Sequence, residues 1–239
     1  MAVLRATSCS EGLRSRVLEP VLTAKKRIYV SSPWLSEEFA ELLLRKSREG
    51  VEVRLVTTLD KPPYHVRALA RLLVAERVVL RPGRPILVGL GLVLFVAGAL
   101  LALVSPALVL TALVGLMLVL RGLSAHAVRI FSPLGSGLVV TKAPVHAKLI
   151  VADGLVGIGS VNLTRAGVYG NVECLAWIEA SDEEAERLWK PIEEAAARDA
   201  VSLSEVHKVV AKRAARRRAT LPHIDHTHAI PKHSLQERA

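Results

Sequence analysis

The chain has 239 residues and a formal net charge of +10, from 32 Lys and Arg against 22 Asp and Glu. Hydrophobic residues make up 51% of it and aromatic ones only 4%, an aliphatic bias that suggests membrane segments. The two cysteines, Cys9 and Cys174, exclude a disulfide framework and imply a reducing compartment, and the basic balance favours anionic partners such as phospholipid head groups or nucleic acid.

In chain order, residues 1–10 lack the continuous apolar core of a signal peptide. Ser10 followed by Glu11 predicts an amphipathic helix reaching about Lys25. Arg27 to Ser32 reads as a buried strand that Pro33-Trp34 ends, and Ser36-Glu37-Glu38 opens a second helix that Gly50 closes. Val51 to Thr58 alternates as a strand does. Strand, helix and strand with short links predict a parallel α/β unit. A third helix is expected from Pro63 to about Ala75, with His65 on its surface.

Between Arg84 and Arg121 no residue is charged. A single helix over 85–120 would run about 54 Å, against about 30 Å for a hydrocarbon core. Two helices, 85–104 and 107–122, broken near Ser105-Pro106, fit better. The expectation is a transmembrane hairpin over 84–123 with both ends on one side. Arg71, Arg77, Arg81 and Arg84 before it, with Arg121 and Arg129 after it, mark that side as cytoplasmic. Gly89, Gly91, Gly98 and Gly115 would let the arms pack closely. The implied localisation is a two-span membrane protein with both termini in the cytoplasm.

Beyond the hairpin, Ala127 to Phe131 is a strand and Pro133 to Gly137 a turn. Residues 146–162 then read as two strands around an Asp153-Gly154 turn. On such strands His146 and Lys148 share a face, Ser160 and Asn162 likewise share a face, and the hairpin can gather the four into one patch. An imidazole, an ammonium, a hydroxyl and an amide in one patch suit a phosphodiester whose charge must be held while a bond breaks. Asn162 to Arg165 opens a short helix, Val172 to Ile178 is a strand starting with Glu173, and Asp182 caps a helix to about Arg198. A last helix from Ser202 runs into a basic cluster at 211–218. Residues after about 219 are expected to be disordered, and His223, Asp225, His226 and His228 there form no more than an adventitious metal cluster.

The pattern His146-x-Lys148-x4-Asp153, followed by Gly159-Ser160-Val161-Asn162 and Asn171-Val172-Glu173, resembles the signature of the phospholipase D superfamily. The spacer before Gly159 is one residue shorter than the usual one, a change that flips faces unless a bulge or the turn absorbs it. The resemblance implies a phospholipase D-like α/β/α sandwich with a mixed sheet, interrupted here by the two-helix transmembrane hairpin. Residues 1–83 and 124–200 would form its two parts, and 201–239 a basic helix and tail. It also implies a phosphodiesterase with a phosphohistidine intermediate on His146, phosphate held by Lys148, Ser160 and Asn162, and Glu173 orienting the imidazole. Asp153 counts among the catalytic set, with a structural role at the turn. No metal or cofactor is implied. A single motif copy implies a homodimer sharing one site, and the expected partners are a phospholipid membrane and a lipid or nucleic-acid phosphodiester. Alternatives are a membrane-tethered nonspecific endonuclease and an inactive membrane scaffold using its basic tail.

Overall fold

The computed structural model describes residues 3–220 apart from 61, 82, 104, 107, 108 and 124. Its centre is a seven-stranded mixed sheet, built from β1 (Val3–Glu11), β2 (Arg27–Ser31), β3 (Glu52–Thr58), β6 (Leu138–Thr141), β7 (Leu149–Ala152), β8 (Leu155–Gly159) and β9 (Val172–Glu179). The spatial order is β1-β9-β8-β7-β2-β3-β6. β2 and β3 are parallel, joined by α2 (Glu37–Arg48) as the strand, helix, strand pattern predicts. β6 also runs parallel to β3, while β7 returns antiparallel to β2.

Alternation along the strands builds two cores. Ile28, Val30, Leu55, Ile150, Leu175 and Trp177 pack with α1 (Arg14–Thr23), α2, α3 (Pro63–Arg71) and α8 (Leu203–Thr220). On the other face Tyr29, Val56, Val151 and Val156 meet α7 (Asp182–Arg198) through Ala185, Trp189 and Ala196. The sheet thus has helices on both faces. α7 opens with a capping box on Ser181, whose hydroxyl accepts from the Glu184 N–H. α8 is part of the body: Val206 is fully buried in the first core.

Several expectations are corrected. The first helix starts only at Arg14, and the residues before it form β1, an edge strand antiparallel to β9. Its register puts Cys9 directly opposite Cys174 at a Cα–Cα distance of 4.1 Å, and the two form a disulfide. The two cysteines are therefore a staple, not inert thiols. α3 stops at Arg71, and His65 on it is buried rather than exposed, at 0% relative exposure. Its Nδ1 accepts from the Leu35 N–H at 3.0 Å, and Nε2 donates to the Thr58 carbonyl at 2.6 Å.

The strands flanking the apolar insert do not join the main sheet. β4 (Val74–Arg81) and β5 (Ala125–Phe131) make their own antiparallel ribbon, which carries α4 (Pro85–Leu101) and α5 (Val109–Gly122). The transmembrane hairpin is overturned. Among the described residues no helix is long and apolar enough to cross a membrane. α4 has 17 residues and α5 has 14, about 25 and 21 Å at about 1.5 Å per residue, both short of a hydrocarbon core of about 30 Å. The physical reason lies at the tip, where α4 ends at Leu101 and gives way to a turn at Ala102-Leu103. With the spans go the two-pass localisation and the orientation read from the flanking arginines.

Three of the four glycines pack the two arms, while a Cβ on Gly89 would meet nothing within 4 Å. A Cβ on Gly91 would lie 2.7 Å from the Gly115 carbonyl oxygen, and one on Gly98 or Gly115 would strike the backbone of the opposite arm. The predicted metal cluster and disordered tail at 219–239 lie outside the described residues beyond Thr220. Among those described, no group of three or more His, Cys, Asp and Glu is placed to hold a metal.

Candidate active site

One end of the sheet collects the C-terminal ends of β2, β3, β6 and β8 with the starts of β7 and β9. His146 and Lys148 sit there in extended chain just before β7 rather than on a strand. Three hydrogen bonds fix this approach. Ser31 Oγ donates to the Ala147 carbonyl at 2.9 Å, the Val145 N–H donates to Thr58 Oγ1 at 3.4 Å, and Lys148 Nζ donates to the His146 carbonyl at 2.9 Å. The His146 side chain is exposed and Lys148 half-buried.

The Gly159 N–H donates to the Lys148 carbonyl at 3.4 Å, which brings the end of β8 beside Lys148. β8 stops at Gly159, and the backbone bends at Ser160. This bend accommodates the short spacer: Ser160 and Asn162 leave the strand, so strand alternation no longer sets their faces. The Ser160 hydroxyl donates to the Glu173 carboxylate and accepts from the Cys174 N–H at 3.0 Å. Glu173, buried at 8% exposure, also accepts from Asn171 Nδ2 at 3.1 Å. Among the described residues its hydrogen-bond partners are thus Ser160 and Asn171 rather than His146. Asn162 Oδ1 is buried with no hydrogen-bond partner among the described residues. A buried orphan acceptor costs about 1–3 kcal/mol, and a donor entering the site would remove that cost.

Asp153 stands at the opposite end of the hairpin, in the β7–β8 turn, with φ 50°. Its carboxylate accepts from the N–H groups of Lys25, Lys26 and Arg27 at 2.9, 2.9 and 3.0 Å. Partial burial raises its pKa, but these three hydrogen bonds and the nearby Lys26 charge outweigh it and hold the group below the usual carboxylate range. Asp153 therefore fixes where β2 begins relative to the β7–β8 hairpin. The structure brings His146, Lys148, Ser160, Asn162 and Glu173 to one end of the sheet and leaves Asp153 at the other.

Several supporting groups carry no local sequence signal. Ser32 Oγ accepts from the Leu163 N–H at 3.0 Å, and Ser36 Oγ accepts from the Arg165 N–H at 2.8 Å. Each joins segments about 130 residues apart. A motif reading finds chemistry-bearing side chains, but it does not find the small hydroxyls that hold them.

No protein-family model matches the chain, and neither does any curated protein. Among solved structures it is similar to Nuc from Salmonella typhimurium, described as a phospholipase D family member, with TM-score 0.45 and 15% identity over 82% of this chain and 97% of that one. NucT from Helicobacter pylori gives TM-score 0.42 and 9% identity over 82% and 98%. Phosphatidylserine synthase from Haemophilus influenzae Rd KW20 gives 0.42 and 11% over 90% of this chain and 46% of that one. Likenesses this distant carry no functional weight, and the reading below rests on the chain's own side chains.

Proposed function

We propose that this protein is a phosphodiesterase of phospholipase D type, with His146 as nucleophile. What supports the reading is that His146, Lys148, Ser160, Asn162 and Glu173, matched to that signature in sequence, all belong to one end of the sheet. In the first step an imidazole nitrogen of His146 bonds to phosphorus as the bond to the leaving alkoxide breaks. That alkoxide takes a proton from a second imidazole. In the second step water attacks phosphorus, the second imidazole takes its proton, and the phosphorus–nitrogen bond breaks. Lys148 and Asn162 hold the nonbridging oxygens with Ser160 assisting, and Glu173, which holds the Ser160 hydroxyl, positions the imidazole in the assembled site. Asp153 contributes by fixing the far turn.

The second imidazole is the partner subunit's His146 in a homodimer. The buried His65 does not supply it, because both of its nitrogens are already committed to backbone groups in the interior. The test is turnover of bis(p-nitrophenyl) phosphate in EDTA by the wild type and by His146→Ala. The expected loss is on the order of 10³-fold or more, with an acid-labile phosphoprotein trapped only in the wild type. A variant retaining a tenth of the rate would overturn the mechanism. A fully active monomer in sedimentation would overturn the shared site.

A further inference from the structure

We propose that the cleft between Tyr64 and Tyr169 is a subsite for a nucleobase, so that the phosphodiester cut at His146 belongs to a nucleic-acid strand; this rests on the function proposed above and names its substrate class. The cleft has a volume of about 530 Å³ and is lined by Ser36, Tyr64, Thr164, Arg165, Ala166 and Tyr169, with Gly170 at its edge. It opens at the same end of the sheet as His146. Tyr64 begins α3, which leaves the C-terminal end of β3, and Tyr169 ends α6 (Arg165–Tyr169), which leaves the C-terminal end of β8.

The cleft floor is continuous with the site. Leu163, next to Asn162, accepts from the Ser36 N–H at 2.9 Å, and a Cβ on Gly167 would lie 2.5 Å from the Asn162 carbonyl oxygen. A substrate held at Asn162 therefore meets the Thr164–Gly170 segment next.

The chemistry of the cleft selects its occupant. Two tyrosine rings offer flat apolar surface; Tyr169 is 39% exposed, and its ring stacks against Phe39 at a centroid distance of 6.4 Å. Two guanidinium groups stand beside them. Arg14 lies 5.8 Å from the Tyr169 ring centroid, and the exposed Arg165 forms no ion pair among the described residues. Of the α2 carboxylates that share the adjoining hollow with Tyr64 and Arg165, Glu37 is held by Arg67 and Arg71 at 3.5 and 2.6 Å and Glu41 by Arg71 at 3.3 Å, which leaves the exposed Glu38 as the one without an ion pair among the described residues. Aromatic surface alternating with unpaired cations is the arrangement that stacks bases and tracks a phosphate backbone. An acyl chain would use the rings and offer neither guanidinium an anion.

The test uses the full chain carrying His146→Ala, so that bound strands stay intact. Fluorescence anisotropy measures Kd for a labelled fifteen-nucleotide thymidine oligomer and for an abasic phosphodiester chain of the same length. Tyr64→Ala is expected to weaken the thymidine oligomer by roughly 5- to 100-fold, the range for losing one stacked base, and to leave the abasic chain unchanged. Arg14→Ala with Arg165→Ala should weaken both. Arg187→Ala, on α7 across the sheet, should weaken neither, and thermal melting checks that each variant folds.

Equal loss for both chains in Tyr64→Ala would overturn the base subsite. So would no loss in either, or displacement of the oligomer from the cleft by phosphatidylglycerol vesicles. Turnover of bis(p-nitrophenyl) phosphate by the wild type keeps these outcomes separate from failure of the proposed reaction.

Discussion

In the central sheet, aliphatic side chains face inward and glycine is sparse; in the α4–α5 hairpin, Gly91, Gly98 and Gly115 face inward and many aliphatic side chains face out. Val30, Leu55 and Val151 are fully buried between sheet and helices, each contributing about 1.5–3 kcal/mol by leaving water. Between the hairpin arms it is Gly91, Gly98 and Gly115 that meet, while Ile86 is 82% exposed and Leu90, Val93, Leu110 and Met117 are also on the outside. Both regions are rich in Leu and Val, but they hold together by different means. The sheet is stabilised by hydrophobic burial, and the hairpin by close backbone approach and dispersion. They should therefore respond to different perturbations, and the site lies in the first.

The largest stability effect is expected at the Cys9–Cys174 pair. These cysteines lie 165 residues apart in sequence and tie the edge strand β1 to β9, one residue from Glu173. Cys174→Ser, or reduction by a dithiol, should cost about 2–4 kcal/mol of unfolding free energy. The loss should appear first as faster amide exchange in β1, with the hairpin unaffected. Identical denaturation midpoints for the oxidised and reduced protein would sink this expectation.

A smaller loss is expected in the hairpin, and it should run the other way. Gly98→Val or Gly115→Val drives a side chain into the opposite backbone, at a cost of about 1–3 kcal/mol. Exchange protection should fall in α4 and α5 while the sheet end near His146 keeps its own. Gly89→Ala is the control, because nothing lies within 4 Å of its added Cβ. It should gain up to about 1 kcal/mol from helix propensity. If all three substitutions behave alike, close packing is not what holds the arms.

What the sequence shows of this molecule follows from where each signal is stored. The β2–α2–β3 unit is legible because alternation, Ser36 and Gly50 are all local. The order of the site residues is legible because the motif is compact in sequence. β1 is not: its residues are almost all exposed, and it is a strand only because β9 offers an edge and Cys174 lies opposite Cys9. The hairpin arms are legible as apolar helices, yet their length is not, because α4 already gives way to a turn at Ala102-Leu103, before the proline. His65 carries the ordinary marks of a surface residue after two prolines. Only the long-range positions of Leu35 and Thr58 make it an interior one.

His65 supplies the smallest effect and the one with the clearest sign. Burial lowers its pKa below the ordinary histidine value, and its two backbone hydrogen bonds oppose this without reversing it. The folded protein therefore holds the imidazole neutral, while the unfolded chain takes up a proton below about pH 6.5. More protons on the unfolded state mean that stability is complete above that pH and declines as pH falls through it. Asp153 adds a second decline at lower pH. Its depressed pKa contributes stability above about pH 4 that is lost as pH falls toward the folded value. Urea midpoints measured from pH 8 to pH 3 should fall in two stages. His65→Asn should flatten the first and Asp153→Asn the second. A first stage that survives His65→Asn would place the responsible proton on another group, and the interior tie between Leu35 and Thr58 would lose its pH dependence.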